Sequence, residues 1–564
     1  MMQRTVSATL FSLALACGPV VAQTDAGAYL AARQASLTSD YATATRYYAQ
    51  ALSRDGGNPE LLENAAVAYL GLGDVERAAP IARRLLQTGT ESQIANLILL
   101  GSEAAEGEWD NVLADLDAGL SVGPLYDGLV RAWALVGAGR MSEALNVFDA
   151  MAETRGVEAF GLYHKALALA SVGDLEGADA ILGDEEGSPI QPTRRGIIAH
   201  ASILGHLERS SEAIALVDEV FGEDLDPALL ELRDALESED VAALPLLTNP
   251  AEGLAEVHFS IAGALSSEAT PSYTLLFSRM AMHLDPNHID AVLQSAEFLE
   301  TLENYELAVD VYDTVPRSHP SFYAAELGRA VALRRSGREF AAIEVLKALS
   351  ESHGGIAEVH VSLGDMLRRM ERYDEATPAY DRAIQMYGDP LVSHWPVYFA
   401  RGITHERGGR WRAAESDFRL ALELRPDQPQ VLNYLGYSFV EMQENLDEAL
   451  NMIERAVELE PNSGFITDSL GWVFYRLGRY EEAVTPMERA VELEPLDPII
   501  NDHLGDVYWA VGRIREAEFQ WARALSLDPE PGDAERMRRK LEVGLDEVLI
   551  EEGADPVTVA NDDG

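Results

Sequence analysis

Residues 464–495, GFITDSLGWVFYRLGRYEEAVTPMERAVELEP, and residues 498–529, PIINDHLGDVYWAVGRIREAEFQWARALSLDP, are two copies of one pattern at a shift of 34 residues. Gly471 falls on Gly505, Phe474 on Tyr508, Gly478 on Gly512, Ala483 on Ala517, Ala490 on Ala524 and Pro495 on Pro529. Each copy reads as two amphipathic helices joined by a tight turn at Gly478 or Gly512, with Pro495 or Pro529 stopping the second. Gly471, Ala483 and Ala490 belong where two helices cross closely, since a side chain larger than methyl would force the axes apart.

The same register runs outward in both directions. Toward the N-terminus the small crossing residue recurs as Gly436, Gly402, Gly364, Ala330, Ala296 and Ala262, spaced by 34 residues except where a turn carries an insertion, near Asn445 and from Tyr387 to Pro396. Ala449, Ala456 and Pro461 repeat the second-helix signature one copy before Ala483, Ala490 and Pro495. Fainter units pass through Tyr41 and Ala44, Ala66 and Gly73, Gly107 and Trp109, Ala132 and Gly139, Ala166 and Gly173, and Ala201 and Ala213.

This set of Gly471, Phe474, Gly478, Tyr480, Ala483, Ala490 and Pro495 resembles the tetratricopeptide repeat, and the run Asn462 to Gly512 is similar to the C-terminal part of large exported bacterial proteins of that family of unassigned function. The resemblance implies an all-α fold, a right-handed superhelix of about 14 helix–turn–helix units whose first helices line a concave, protein-binding face. The expected division is a signal at 1–22, a degenerate array at 23–222, an irregular stretch at 223–256, a regular array at 257–530, a capping helix at 531–552 and a disordered acidic tail at 553–564. Pro227, Pro245 and Pro250 interrupt the irregular stretch, which reads equally as a joint between two arms or as an eroded repeat. The capping segment places Met537, Leu541, Leu545 and Val548 on one stripe, and its Arg536, Arg538, Arg539 and Lys540 read either as a solvated face or as contacts to the acidic chain or a partner.

A formal charge of −51 repels phosphate backbones and anionic lipids, so a nucleic-acid partner is not expected. Arg4, the apolar run Thr5 to Ala16 and the small residues before Gln23 form a bacterial-type export signal, cleaved after Ala22, which implies a periplasmic or exported protein. Cys17, the sole cysteine, leaves a second reading open: a lipidated anchor after an imperfect lipobox, in an outer-membrane lipoprotein subunit of an assembly or secretion machine. No later run reaches roughly 18 apolar residues, so no membrane span is expected.

Phosphate-binding loops, His-Glu-x-x-His and Gly-x-Ser-x-Gly are absent from the sequence, so we expect neither catalysis nor a cofactor. The inward positions that the resemblance implies are Asn433, Tyr437 and Glu441, then Phe465, Asp468, Trp472 and Tyr475, then Asp502, Asp506 and Trp509. Aromatic faces among carboxylates suit an extended peptide or protein carrying basic or aromatic side chains. Two other readings stay open, rings that are core between helices and carboxylates that form a solvated face or hold a cation.

Overall fold

The computed structural model describes residues 23–183, 190, 193–222 and 225–557; the expected signal, with Cys17 and Ala22, and residues 558–564 lie outside them. Among the described residues the chain forms 31 α-helices and no strand. Gly464–Arg476 pairs with Tyr480–Leu493, and Pro498–Ala510 with Ile514–Leu525. Ser463 accepts the backbone N–H of Ile466 and Asp497 accepts those of Ile499 and Ile500, satisfying donors that a helix start leaves free. Gly478 and Gly512 sit in the turns at φ +73° and +79°, a conformation that a Cβ disfavours.

The crossings are as tight as the small residues require. A Cβ on Gly471 would meet Met487 Cγ at 2.5 Å, and one on Gly505 would meet Trp521 Nε1 at 2.4 Å. Ala449, Ala456, Ala483, Ala490, Ala517 and Ala524 are fully buried. At five turns an arginine opens the second helix and grips the glutamate three residues on: Arg140 with Glu143, Arg209 with Glu212, Arg372 with Glu375, Arg479 with Glu482 and Arg513 with Glu516. These pairs are exposed and contribute little to stability.

The chain divides into two compact units, residues 1–349 and 350–564. In the first, the helices Pro59–Leu72, Gln93–Ala105, Pro124–Gly137 and Glu158–Ser171 stand at the first-helix positions of successive pairs, and a hairpin of the chain itself, Pro250–Leu265 with Pro271–Leu284, packs against all four. Leu254, Val257, Ile261, Leu276, Phe277 and Met280 join one core with Leu62, Leu70, Ile98, Leu129 and Trp133. The approach is close: a Cβ on Gly253 would meet the Trp133 ring at 2.3 Å, and one on Gly101 would meet Met280 Sδ at 2.4 Å. Polar groups lock the fit, since Tyr126 Oη lies 3.0 Å from His258 Nε2 and Arg279 Nε donates to Gly71 O at 3.1 Å. That guanidinium meets the negative end of the Pro59–Leu72 helix, and burial pushes it down to about 10.

The stretch read as a joint or an eroded repeat contains the helix Pro227–Glu237, a 3₁₀ turn at Val241–Ala243 and the start of Pro250–Leu265. Leu225, Leu229, Leu232, Leu236 and Leu244 pack against Ala201, Leu204, Ala213 and Val217, so this stretch is bound to the N-terminal array through an apolar core. Two expectations at the other end need correction. The capping segment is two helices, Pro531–Val543 and Leu545–Glu551, because Gly544 at φ +85° lets the chain turn, leaving Leu541 partly exposed. The tail is not wholly free, since Val557 is buried in the C-terminal core.

Gly253→Val tests the inserted hairpin, because nothing in the local repeat pattern forbids a larger residue there. It is expected to destabilise the N-terminal unit by about 1–3 kcal/mol through overpacking on Trp133, read as a lower urea midpoint, whereas Gly263→Val on the same helix, with no neighbour closer than 3.7 Å, should move it less.

Candidate functional site

In the C-terminal unit the helices Trp395–Arg407, Pro429–Met442, Gly464–Arg476 and Pro498–Ala510 present their inward positions to an open groove of about 630 Å³. Asn433, Tyr437, Glu441, Phe465 and Asp468 line it, five of the ten expected residues. Phe465 is 57% exposed although large and apolar, and Glu441 is nearly half exposed. Four carboxylates, Glu406, Glu441, Asp468 and Asp497, face the groove against Arg407 and His503.

The other five expected residues are structural, which corrects their assignment to the open groove. Trp472 and Tyr475 are buried and stacked, ring centroids 4.8 Å apart, and His503 stacks on the other side of Trp472 at 4.0 Å. Trp472 Nε1 donates to Glu441 Oε1 at 2.7 Å, which fixes the carboxylate at the groove edge. His503 Nδ1 lies 3.1 Å from both oxygens of Asp468. Burial opposes a charge on this imidazole, but Asp468, with Asp502 and Asp506 behind it, outweighs that and holds its pKa above the ordinary value.

Asp502, Asp506 and Trp509 are covered by the C-terminal segment. Lys540, fully buried, places Nζ 2.7 Å from Asp502 Oδ2 and 2.6 Å from Asp506 Oδ1, while Trp521 Nε1 donates to Asp506 Oδ1 at 2.9 Å. Arg536 stands 3.6 Å from Asp506, and Trp509 Nε1 donates to Asp546 at 3.2 Å beneath the Gly544 elbow. Of the two readings of the basic cluster, contact with the acidic chain holds for three members: Arg539 pairs with Glu551, Arg536 with Glu552, and Lys540 is a buried clamp. Burial and the Asp506 charge push the Asp502 carboxyl up, against the pull of Lys540. A cation among three carboxylates was one expected use of this corner; a lysine supplies it, and among the described residues no group of three or more His, Cys, Asp or Glu is placed to hold a metal ion.

Sequence reasoning missed Glu406, Tyr434, His503 and the clamp. The available signal for the clamp was rarity: Lys540 is one of three lysines in 564 residues and lies in an otherwise apolar register, between Met537 and Leu545. The N-terminal unit has a cavity of its own, about 590 Å³, whose buried Glu256 takes bonds from Arg195 at 2.6 Å, Tyr163 at 3.0 Å and His288 at 3.1 Å. That network satisfies itself, and the rest of the inner face there is filled by the hairpin, so the C-terminal groove is the stronger candidate. No helix among the described residues is long and apolar enough to cross a membrane.

Family models described as tetratricopeptide repeat match residues 37–99, 299–353 and, in overlapping copies, 361–534. A TPR repeat-containing protein, PA4667, of Pseudomonas aeruginosa is 27% identical over 173 residues, covering 30% of this chain and 28% of the relative. The human protein O-mannosyl-transferase TMTC1 is 26% identical over 167 residues, 29% of this chain and 19% of the relative. The chain thus spans under a third of either relative. Among solved structures, the APC/C hetero-tetramer Cut9–Hcn1 is similar over 93% of this chain and 97% of the other at TM-score 0.38 and 14% identity, and yeast Tom70 over 94% and 97% at TM-score 0.29 and 15% identity.

Lys540→Met leaves two buried carboxylates without their cation and is expected to cost about 3–5 kcal/mol, measured by urea unfolding followed through tryptophan fluorescence. Adding Asp502→Asn and Asp506→Asn to that variant should restore most of the loss, because no buried charge then remains unpaired.

Proposed function

The chain belongs to the tetratricopeptide repeat family, and from that premise we propose that it is a non-enzymatic interaction scaffold that holds a protein or extended peptide in its C-terminal groove. The observation that carries this reading is the contrast between the two inner faces. One is filled by the chain's own hairpin; the other leaves Phe465 exposed beside Tyr437, Asn433 and Glu441. A large aromatic held open to solvent on the wall of a groove is the feature expected of a partner anchor.

The work site in this proposal is the bacterial cell envelope, on the strength of the export-signal pattern ending at Ala22, with lipidation at Cys17 as the alternative route to the same compartment. The mass of the mature N-terminal peptide separates the routes: one that starts at Gln23 supports the soluble form, and a diacylated Cys17 supports the anchor. A second reading, an accessory of an envelope glycosyltransferase or protease, draws on the similarity to a protein O-mannosyl-transferase.

A photoreactive residue at position 465 in living cells is expected to trap a discrete envelope protein that an exposed position on the outer face, such as Phe519, does not. Equal trapping from both faces would sink the groove assignment, and capture of a transferase or protease would move the protein to the second reading. Phe465→Ala should weaken the trapped partner's affinity at least about tenfold with an unchanged unfolding midpoint.

A further inference from the structure

Two histidines sit in the seam between the inserted hairpin and the N-terminal array, and their hydrogen bonds fit only the neutral ring. His164, on Glu158–Ser171, receives the indole N–H of Trp133 at Nδ1, 3.3 Å away. An indole nitrogen donates and cannot accept, so Nδ1 must be a bare lone pair. The one ring proton then sits on Nε2, which is buried with no hydrogen-bond partner among the described residues. His258, on the hairpin helix Pro250–Leu265, donates from Nδ1 to Leu254 O at 2.8 Å and accepts the Tyr126 hydroxyl at Nε2, 3.0 Å away. Trp133 and Tyr126 both belong to Pro124–Gly137, an array helix that the hairpin covers, and Gly253 of the hairpin lies against the Trp133 ring.

A second proton breaks either arrangement. On His164 it sets N–H against N–H across the Trp133 contact, and on His258 it turns the acceptor for Tyr126 into a donor. Both rings are fully buried, so water cannot solvate the charge. The charged neighbours do not compensate. Glu256 acts on His164 but is already held by Arg195, Tyr163 and His288, and the group that acts on His258 is His283, which repels a second cation. Burial pushes both imidazoles down to about 4, against the pull of Glu256 on one and of the Leu254 carbonyl on the other. Burial also opposes the Glu256 charge, but Arg195 and His288 outweigh it and hold that carboxyl well below the usual range, so mild acid leaves this end of the hairpin gripped.

We propose that the hairpin of Pro250–Leu265 and Pro271–Leu284 is an acid-released cover: protonation of His164 and His258 undoes the Trp133 and Tyr126 contacts and frees the N-terminal inner face. A released histidine titrates near 6.5 and a seated one near 4, so between these values the closed state loses about tenfold per histidine for each pH unit of acidification, roughly 1000-fold for the two at pH 5. The C-terminal unit lacks this weakness at its buried His503, whose pKa is raised by Asp468 against burial, so the protonated pair persists in acid.

The test is hydrogen–deuterium exchange of the intact chain near pH 7.5 and near pH 5, corrected for intrinsic rates and read by mass spectrometry. Amides of the hairpin are expected to lose at least about 100-fold in protection at the lower pH, and those of Gly464–Arg476 and Pro498–Ala510 less than about threefold. His164→Asn keeps an acceptor for the Trp133 N–H and His258→Asn keeps a donor for Leu254 O, yet neither can be charged. The double variant should therefore hold its hairpin equally at both pH values, and each single variant should retain about half of the response on a logarithmic scale. Hairpin protection that does not change with pH in the unmodified chain would overturn the proposal. So would a loss shared equally by both units, or one that persists undiminished in the single variants.

Discussion

A helix pair in a linear stack can bury its apolar face only against the next pair, so every end and every inner face that lacks a neighbour must be covered by something else. Most of what distinguishes this chain from a plain array follows from how it meets that requirement. At the C-terminal end the elbow at Gly544 folds two short helices over Trp509 and Trp521 and brings Met537 and Leu545 into the core. In the N-terminal unit the first-helix face from Leu62 to Trp133 is covered by a hairpin that arrives from more than a hundred residues downstream.

Electrostatics are arranged with the same economy. Acidic residues outnumber basic ones by 94 to 43, and many of the scarce cations sit where a carboxylate is buried. Lys540 bridges two aspartates, Arg195 holds Glu256, and Arg401 holds Asp417 at 2.6 Å. Each removes a charge that would otherwise oppose burial. The groove carboxylates are partnered as well, Asp468 with His503 at 3.1 Å and Glu441 with Arg476 at 3.6 Å.

The helix–turn–helix repeat and its register were legible because they rest on contacts between residues close in sequence. Gly471 needs to be small on account of Met487, sixteen positions on, and such neighbours recur with every copy. Half of the candidate site was legible for the same reason: Asn433, Tyr437, Glu441, Phe465 and Asp468 face inward as their repeat positions require. Trp472 and Trp509 hold equally inward positions but are withdrawn by partners that repeat position does not specify, His503 on one and the Gly544 elbow on the other. The hairpin left a trace in the sequence as well. Leu275, Leu276, Phe277, Met280 and Ala281 make most of the second helix apolar, and Thr274 to Ala281 are buried without a break, yet the hairpin's alanine at position 262 fits the 34-residue register and reads as one more surface repeat.

The sequence by itself determined that this protein is a stack of paired helices and, in the regular array, which residues lie at the crossings, because periodicity records the contacts of each helix with its nearest neighbours. Only the tertiary structure decided which inner face stays open. Closure of the N-terminal face depends on groups such as Arg279 and Gly71, 208 residues apart, and a repeating pattern carries no information about which distant copy will fill the groove of another.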